Sequence, residues 1–442
     1  MSHSPSISLE GLSPEKFTLG DRAGSLVGRF LVVGIVGLAV AAALGLTGDQ
    51  GDLSRFLHAY TTVYVYVTSI TLGALFFVLI NHVTSAGWSV TTRRIAELVT
   101  GAFPLLALLS LPLIIAALMG TAEIYPWADP DGGLVPDGVA HLVHKKASFL
   151  NGPFFTIRMV MYFAIWIGMA AWFKKRSLEQ DISGDPAITN LFKKVSAPMI
   201  PVFALTLTFF SLDLLMSLDP VWYSTIFGVY YFAGGFLCFM ALLGILAKKF
   251  GAEDGILSGF IRDEHYHDIG KLTFAFVMFW GYIAFSQYIL IWYANIPEET
   301  AWYHEREGLF WGHVGVLFLL KFLVPFLGLI SRHMKRHPQR MVIFGGWVMV
   351  MHFYDMFFLG MPSHLNTLHY LEAQAGPATE AGQAWHHAAE SFASMPFGLI
   401  ELACVIGIGG LFVAAVAKSF AGNSLLAVRD PRLPESMTFH NP

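Results

Sequence analysis

Residues 309–330 read LFWGHVGVLFLLKFLVPFLGLI, an almost wholly apolar run with one lysine, Lys321, near its centre. At 1.5 Å of rise per residue such a run crosses a hydrocarbon layer about 30 Å thick. A backbone in hydrocarbon must satisfy its own hydrogen bonds, so the run is expected to be a helix. Working outward, runs of similar length occur at 25–46, 57–80, 98–119, 155–172, 196–217, 225–248, 270–294, 340–361 and 397–419. The sequence therefore predicts an all-α integral membrane protein of about ten transmembrane helices. An alternating barrel pattern is absent. Composition agrees: 55% of residues are hydrophobic and only 13% charged, against about 25% charged in soluble domains, and the mean hydropathy is +0.58.

The distribution of Lys and Arg orients the chain. Taking the ten runs in order, 21 of the 27 basic residues fall on the side of the termini and 4 on the other, with Arg158 and Lys321 inside helices. By the positive-inside rule both termini are expected in the cytoplasm. The expected organisation is a cytoplasmic segment 1–24, a membrane domain 25–419 and a cytoplasmic tail 420–442. The first apolar run is long and preceded by a polar stretch, so it is read as a retained helix rather than a cleaved signal. Two long loops, 120–154 and 362–396, then face outward, and 379–395 has the composition of a short surface helix. No soluble domain is evident. The net charge of −4 and the lack of a basic surface give no reason to expect nucleic acid as a partner. Cys238 and Cys404 both lie in apolar runs and are too few for a disulfide framework or an iron–sulfur cluster.

Charged groups inside membrane helices are costly, so those present are candidate functional residues. Lys321 lies mid-helix, with His313 two turns outward. His352 and Asp355 share one face of the ninth run, three residues apart. Asp213 lies in the outer part of the fifth run, Arg158 and Glu401 begin the fourth and tenth, and Gln287 marks the outer part of the seventh. Nearly all of these fall between the midplane and the outer surface. That predicts a polar cavity open outward, either a proton half-channel or a pocket for a quinone headgroup. Structural pairing is the competing reading, with Lys321 bridging to Asp355 or Asp213, and Arg158 to Glu401 or a backbone carbonyl. His82 and Glu97 read as interfacial residues, His265–Asp268 as a solvated loop, and His58 with Tyr60, Tyr64 and Tyr66 as part of an aromatic belt. His313 and His352 are the only histidines deep enough to pair on a b-type haem, and no metal-ligand motif is apparent.

Three segments carry a resemblance. They are 144–158 (HKKASFLNGPFFTIR), 217–230 (SLDPVWYSTIFGVY) and, most distinctively, 279–300 (FWGYIAFSQYILIWYANIPEET). They resemble the NrfD/polysulfide-reductase-like membrane subunits of alternative complex III, a bacterial quinol:cytochrome c or quinol:oxidase oxidoreductase. More narrowly they look like the ActF type, the smaller of that complex's two such subunits. The resemblance implies two four-helix bundles plus two further helices, in the bacterial cytoplasmic membrane. It implies a cofactor-free chain that contacts quinone or quinol and lipids and conducts protons. The partners it implies are a larger NrfD-like homologue, an outer iron–sulfur subunit, multihaem and monohaem cytochromes c, small membrane subunits and, in quinol:oxidase assemblies, a terminal oxidase. Two other readings stay open: a secondary transporter with a midplane charge site, and a structural anchor for the outer redox subunits.

Overall fold

In a computed structural model the protein is built of helices, with no strand among the described residues, which are 12–49, 51–131, 134–135, 137–309 and 313–440. Residues 1–11 of the expected N-terminal segment, Gly132 and Gly133 of the first long loop, 310–312 of the eighth run and 441–442 of the tail lie outside them.

Nine of the helices are long and apolar enough to cross a membrane: α1 (Pro14–Thr47), α2 (Asp52–Val83), α3 (Gly87–Leu118), α4 (Gly152–Ser183), α5 (Pro186–Leu218), α6 (Phe227–Gly251), α7 (Asp263–Ala294), α9 (Pro338–Ala375) and α10 (Leu399–Ala421). The eighth run forms a shorter apolar helix, α8 (His313–Leu329). The chain is thus a multi-pass membrane protein whose described residues give nine full-length spans rather than the ten expected. Most helices outrun their apolar cores. The α4 helix continues from the predicted 172 to Ser183 through Lys174, Lys175 and Arg176, because a polar, well-solvated turn at a helix end costs nothing.

The proline positions shape the irregular spans. The α3 span is three α-helical pieces, the first two joined by a 3₁₀ turn at Thr100–Ala102 and the last two meeting at Ser110, with Pro104 and Pro112 opening the second and third. In α8, residues Leu317–Leu323 form a π-helix. Pro325 explains it: its ring would clash with the carbonyl four residues back, that of Lys321, and widening the turn removes the clash.

The described helices pack most closely as α1 with α10, α6 with α2, α7 and α9, and α2 with α5. The central α2 is buried along most of its apolar stretch and touches α1, α3, α5, α6, α9 and α10, whereas most of the apolar stretches of α1 and α7 are left uncovered. The α1–α10 seam depends on glycine. A Cβ on Gly37 would stand 2.7 Å from the Gly407 nitrogen, and one on Gly34 would stand 2.6 Å from the Leu411 nitrogen. Such small-residue seams let backbones approach closely where no hydrophobic force drives helices together. Replacing Gly37 by Leu is expected to destabilise the protein by about 1–3 kcal/mol, because backbone cannot yield as a side chain does. Gly409→Leu, whose new Cβ would meet nothing within 4 Å, is the control. Thermal unfolding in detergent should separate the two, and equal midpoints would remove the seam's role.

The second long loop is largely helical and the first partly so. Asp137–Lys146 lies in the first, and the second consists of the last turns of α9 (Pro362–Ala375) followed by Glu380–Ser394.

Candidate functional site

The deepest ionic group is where α8 meets α9, α6, α7 and α2. Lys321, His352 and Asp355 are all fully buried. The π-turn of α8 delivers the Lys321 ammonium to Asp355 Oδ2. The same nitrogen is 3.3 Å from His352 Nδ1 and 4.1 Å from the centre of the Trp280 ring. Tyr230 of α6 donates its hydroxyl hydrogen to the other Asp355 oxygen. His352 Nε2 is 2.9 Å from Ser69 Oγ on α2. Ser69 spends its one proton on the Tyr66 carbonyl, so it accepts from His352 Nε2–H, and Nδ1 is left as acceptor for Lys321. A continuous hydrogen-bonded row results: Tyr230, Asp355, Lys321, His352, Ser69. Gly234 makes room for it, since a Cβ there would stand 2.8 Å from His352 Cε1 and 3.4 Å from Lys321 Nζ.

Beyond Tyr230 lies an aromatic slot between α6, α7 and α8, lined by Trp280, Phe285, Tyr288, Tyr303 and Phe318 among others. Its polar members include Gln287 and the tyrosines Tyr230, Tyr288 and Tyr303. The Gln287 amide accepts from Ser224 Oγ at 3.0 Å and donates to the Tyr303 hydroxyl at 3.2 Å. The free space is about 60 Å³, well below the roughly 300–1,000 Å³ of small-molecule sites. A quinone ring would need these side chains to move.

The other predicted residues do not join this row. Arg158 pairs with Asp213, not Glu401: its guanidinium donates to both carboxylate oxygens at 2.9 and 2.7 Å and to the Phe149 carbonyl at 2.8 Å, and Tyr162 donates to Asp213 at 2.8 Å. The Phe149 and Phe154 rings cover the guanidinium. Asp213 is therefore committed to Arg158 and unavailable to Lys321. Glu401 pairs with Arg55 of α2 at 2.7 and 3.0 Å and accepts from the Gly398 amide at 2.6 Å, which caps α10. Both sites are saturated with hydrogen bonds and have the form of structural clamps. His313 contacts the Tyr354 hydroxyl, two residues beyond His352 on α9. The single outward cavity expected from the sequence is thus divided into separate clusters.

No protein-family model matches this chain, and no curated protein matches it. What the site does has to be read from its own geometry.

The expectation of a one-sided distribution is also corrected. At the Lys/Arg-rich end Arg93, Arg94, Glu97, Asp181 and Asp430 form a second buried ionic cluster, all 5% exposed or less. Arg93 reaches Asp430 at 2.6 Å and Glu97 at 3.5 Å; Arg94 reaches Glu97 at 3.0 Å and Asp181 at 2.8 Å. His82 lies beside them, stacked on Phe173 and Phe192, with neither ring nitrogen hydrogen-bonded within the protein. Buried polar atoms left this way are the usual seats of internal water. Glu97 and His82 are core residues here, not interfacial ones. His265 is likewise buried, with Nε2 at 3.1 Å from Ser436 Oγ of the tail, so the solvated loop expected there is the capped start of α7. Arg306, counted with the outer loop, is fully enclosed under Trp302 and donates to the Trp302, Phe358 and Leu359 carbonyls. Burial lowers its guanidinium to about 10 and raises the neighbouring Glu305 carboxyl.

Between the two clusters α2 carries only Thr71 as a polar side chain from Leu72 back to Ser69, then none to Ile80, and Thr71 is bonded to its own helix. From Ser69 to Asn81 that is about 18 Å along the axis.

Proposed function

We propose that this chain is a cofactor-free membrane subunit of a bacterial quinol-oxidising complex of the alternative complex III type, and that it handles protons during quinol-linked electron transfer. The observation that carries this reading is the row Tyr230–Asp355–Lys321–His352–Ser69. An amine, a carboxylate and an imidazole in mutual contact, sealed from water and lipid, are a costly arrangement to keep for stability alone. They are also the side chains that exchange protons most readily once paired. The π-turn that delivers Lys321 belongs to a class of helix irregularity frequent at functional sites.

In this reading a proton enters or leaves at the slot end through Tyr230 and Asp355, and Lys321 holds Asp355 ionised between transfers. His352 relays toward α2. The apolar stretch of α2 beyond Ser69 makes the row a half-path, and the Arg93–Glu97–Asp430 cluster with His82 is the polar group at the far side of that barrier. The small volume of the slot favours proton handling over a resident quinone ring. In this reading the helices form two four-helix bundles plus two further helices, in the bacterial cytoplasmic membrane with both termini inside, as the resemblance of 279–300 implies. The larger homologue would then hold the quinol site, and the iron–sulfur subunit and the cytochromes c would carry the redox centres.

Purification in mild detergent tests the assignment. The chain is expected to emerge with haem-bearing and iron–sulfur-bearing partners and with quinol-dependent reduction of cytochrome c. A chain that runs alone and colourless from its native membrane would overturn it.

A further inference from the structure

A groove of about 750 Å³ opens at the Lys/Arg-rich end between the start of α1, the end of α6 and the end of α10. Its walls are apolar: Leu26 from α1, Leu242 and Leu246 from α6, and Phe412, Val413 and Val416 from α10. Its mouth is polar. Arg22, Lys249 and Asp254 line it, with the hydroxyls of Thr18 and Ser25. Arg22 and Lys249 are exposed, and neither has a carboxylate within ion-pair distance among the described residues. Two cations against one acid leave a single positive charge. This contrasts with the rest of the molecule, where the buried arginines Arg93, Arg94, Arg158 and Arg306 are all engaged.

We propose that this groove binds one anionic diacyl phospholipid, with its phosphodiester between Arg22 and Lys249 and an acyl chain along the α6 and α10 walls. Three observations converge on that occupant. The mouth lies at the ends of spanning helices, at headgroup depth, and the walls run from there into the hydrocarbon zone. The surplus of one positive charge matches the single negative charge of a phosphodiester whose headgroup carries no amine. The volume lies within the range of specific ligand sites, roughly 300–1,000 Å³. Basic pockets between membrane helices on the cytoplasmic side are the expected seats of anionic headgroups. A bound lipid would also cover α1, which is mostly bare and held chiefly through its glycine seam with α10, so the site would help fasten that helix.

The full chain, with whatever partners it retains, is reconstituted in nanodiscs containing phosphatidylglycerol and phosphatidylcholine, then washed in mild detergent, and the lipid kept per folded chain is measured by mass spectrometry. Wild type is expected to keep one phosphatidylglycerol and to discard phosphatidylcholine. The double variant Arg22→Ala/Lys249→Ala is expected to hold phosphatidylglycerol roughly 30-fold more weakly, taking the usual worth of each cation at an anionic surface. Val413→Trp, which fills the groove and leaves both cations in place, is expected to lose the lipid as well, and it serves if the double variant does not fold. Equal retention of the two lipids, or retention unchanged in both variants, would overturn the proposal. So would displacement of the lipid by millimolar inorganic phosphate, which would mark a bare anion site, or a purified complex whose groove is filled by a partner helix.

Discussion

Replacing Asp355 by Asn is expected to lower proton-coupled turnover sharply and to destabilise the protein, and a second substitution is expected to separate these two effects. Asn keeps the shape and the hydrogen bond from Tyr230 but removes the charge that faces Lys321. A buried ammonium without its carboxylate costs about 3–5 kcal/mol, through direct destabilisation or through the forced loss of its proton. In the assembled complex, quinol:cytochrome c turnover and the associated proton release should fall by about a hundredfold, the usual worth of a positioned proton-transfer group. The double variant Lys321→Met/Asp355→Leu replaces the pair by apolar residues of similar size. Such replacements are often neutral or stabilising, so its thermal midpoint should return to the wild-type value or exceed it. If its turnover stays low, the ion pair serves the reaction. If turnover recovers together with stability, the pair is structural and the proton-handling role is wrong.

That experiment is needed because the sequence could place these residues only in part. The spans were readable, since long apolar runs have few alternatives in a bilayer. Lys321, His352 and Asp355 were visible as ionisable groups at membrane depth, and two lie on one helix face. Their meeting across α8 and α9 was one of two pairings that the spacing allowed. Of the partners expected for Arg158, a backbone carbonyl is present but Glu401 is replaced by Asp213, because helix neighbours depend on packing between faces, which a single sequence does not encode. The π-turn was hidden as well, although Pro325 four residues after Lys321 is in hindsight its signal. Arg93 and Arg94 were missed for a different reason. A Thr-Thr-Arg-Arg stretch beside an apolar run looks like an ordinary positively charged flank, and the clue was Glu97, placed three and four residues on so as to bridge both on one face. Arg306 gave no comparable clue, since two of its three carbonyl partners, those of Phe358 and Leu359, are brought in by α9.

The Lys/Arg-rich cluster leads to the second large effect, on the tail. Residues 422–440 fold back over the ends of α3 and α7. The Leu425 amide donates to the Phe17 carbonyl, Ser436 donates to the Trp88 carbonyl, Arg262 donates to the Met437 carbonyl, and Asp430 meets Arg93. Burial by itself would raise the Asp430 carboxyl, but the Arg93 guanidinium outweighs it and holds the group below its ordinary value of 3.8. A carboxyl depressed on folding stabilises the protein at every pH above its unfolded value, and that stability is lost as pH falls through 3.8 toward the folded value. Asp430→Asn should therefore cost about 3 kcal/mol at pH 7, the lower end for a broken buried pair because Arg93 keeps Glu97 at 3.5 Å. The gap between wild type and variant should close as the pH is lowered from about 4 toward the depressed folded value, because there the unfolded chain takes up the proton before the native Asp430 does. Thermal unfolding in detergent across that range measures it. A gap that stays constant with pH would mean that the tail is held by the apolar contacts of Leu425, Leu426 and Leu433 and that Arg93 is stabilised by Glu97 alone. A gap that closes would identify Asp430 as the residue that keeps Arg93 neutralised, and so keeps Glu97 shared between two arginines at the far side of the barrier from Ser69.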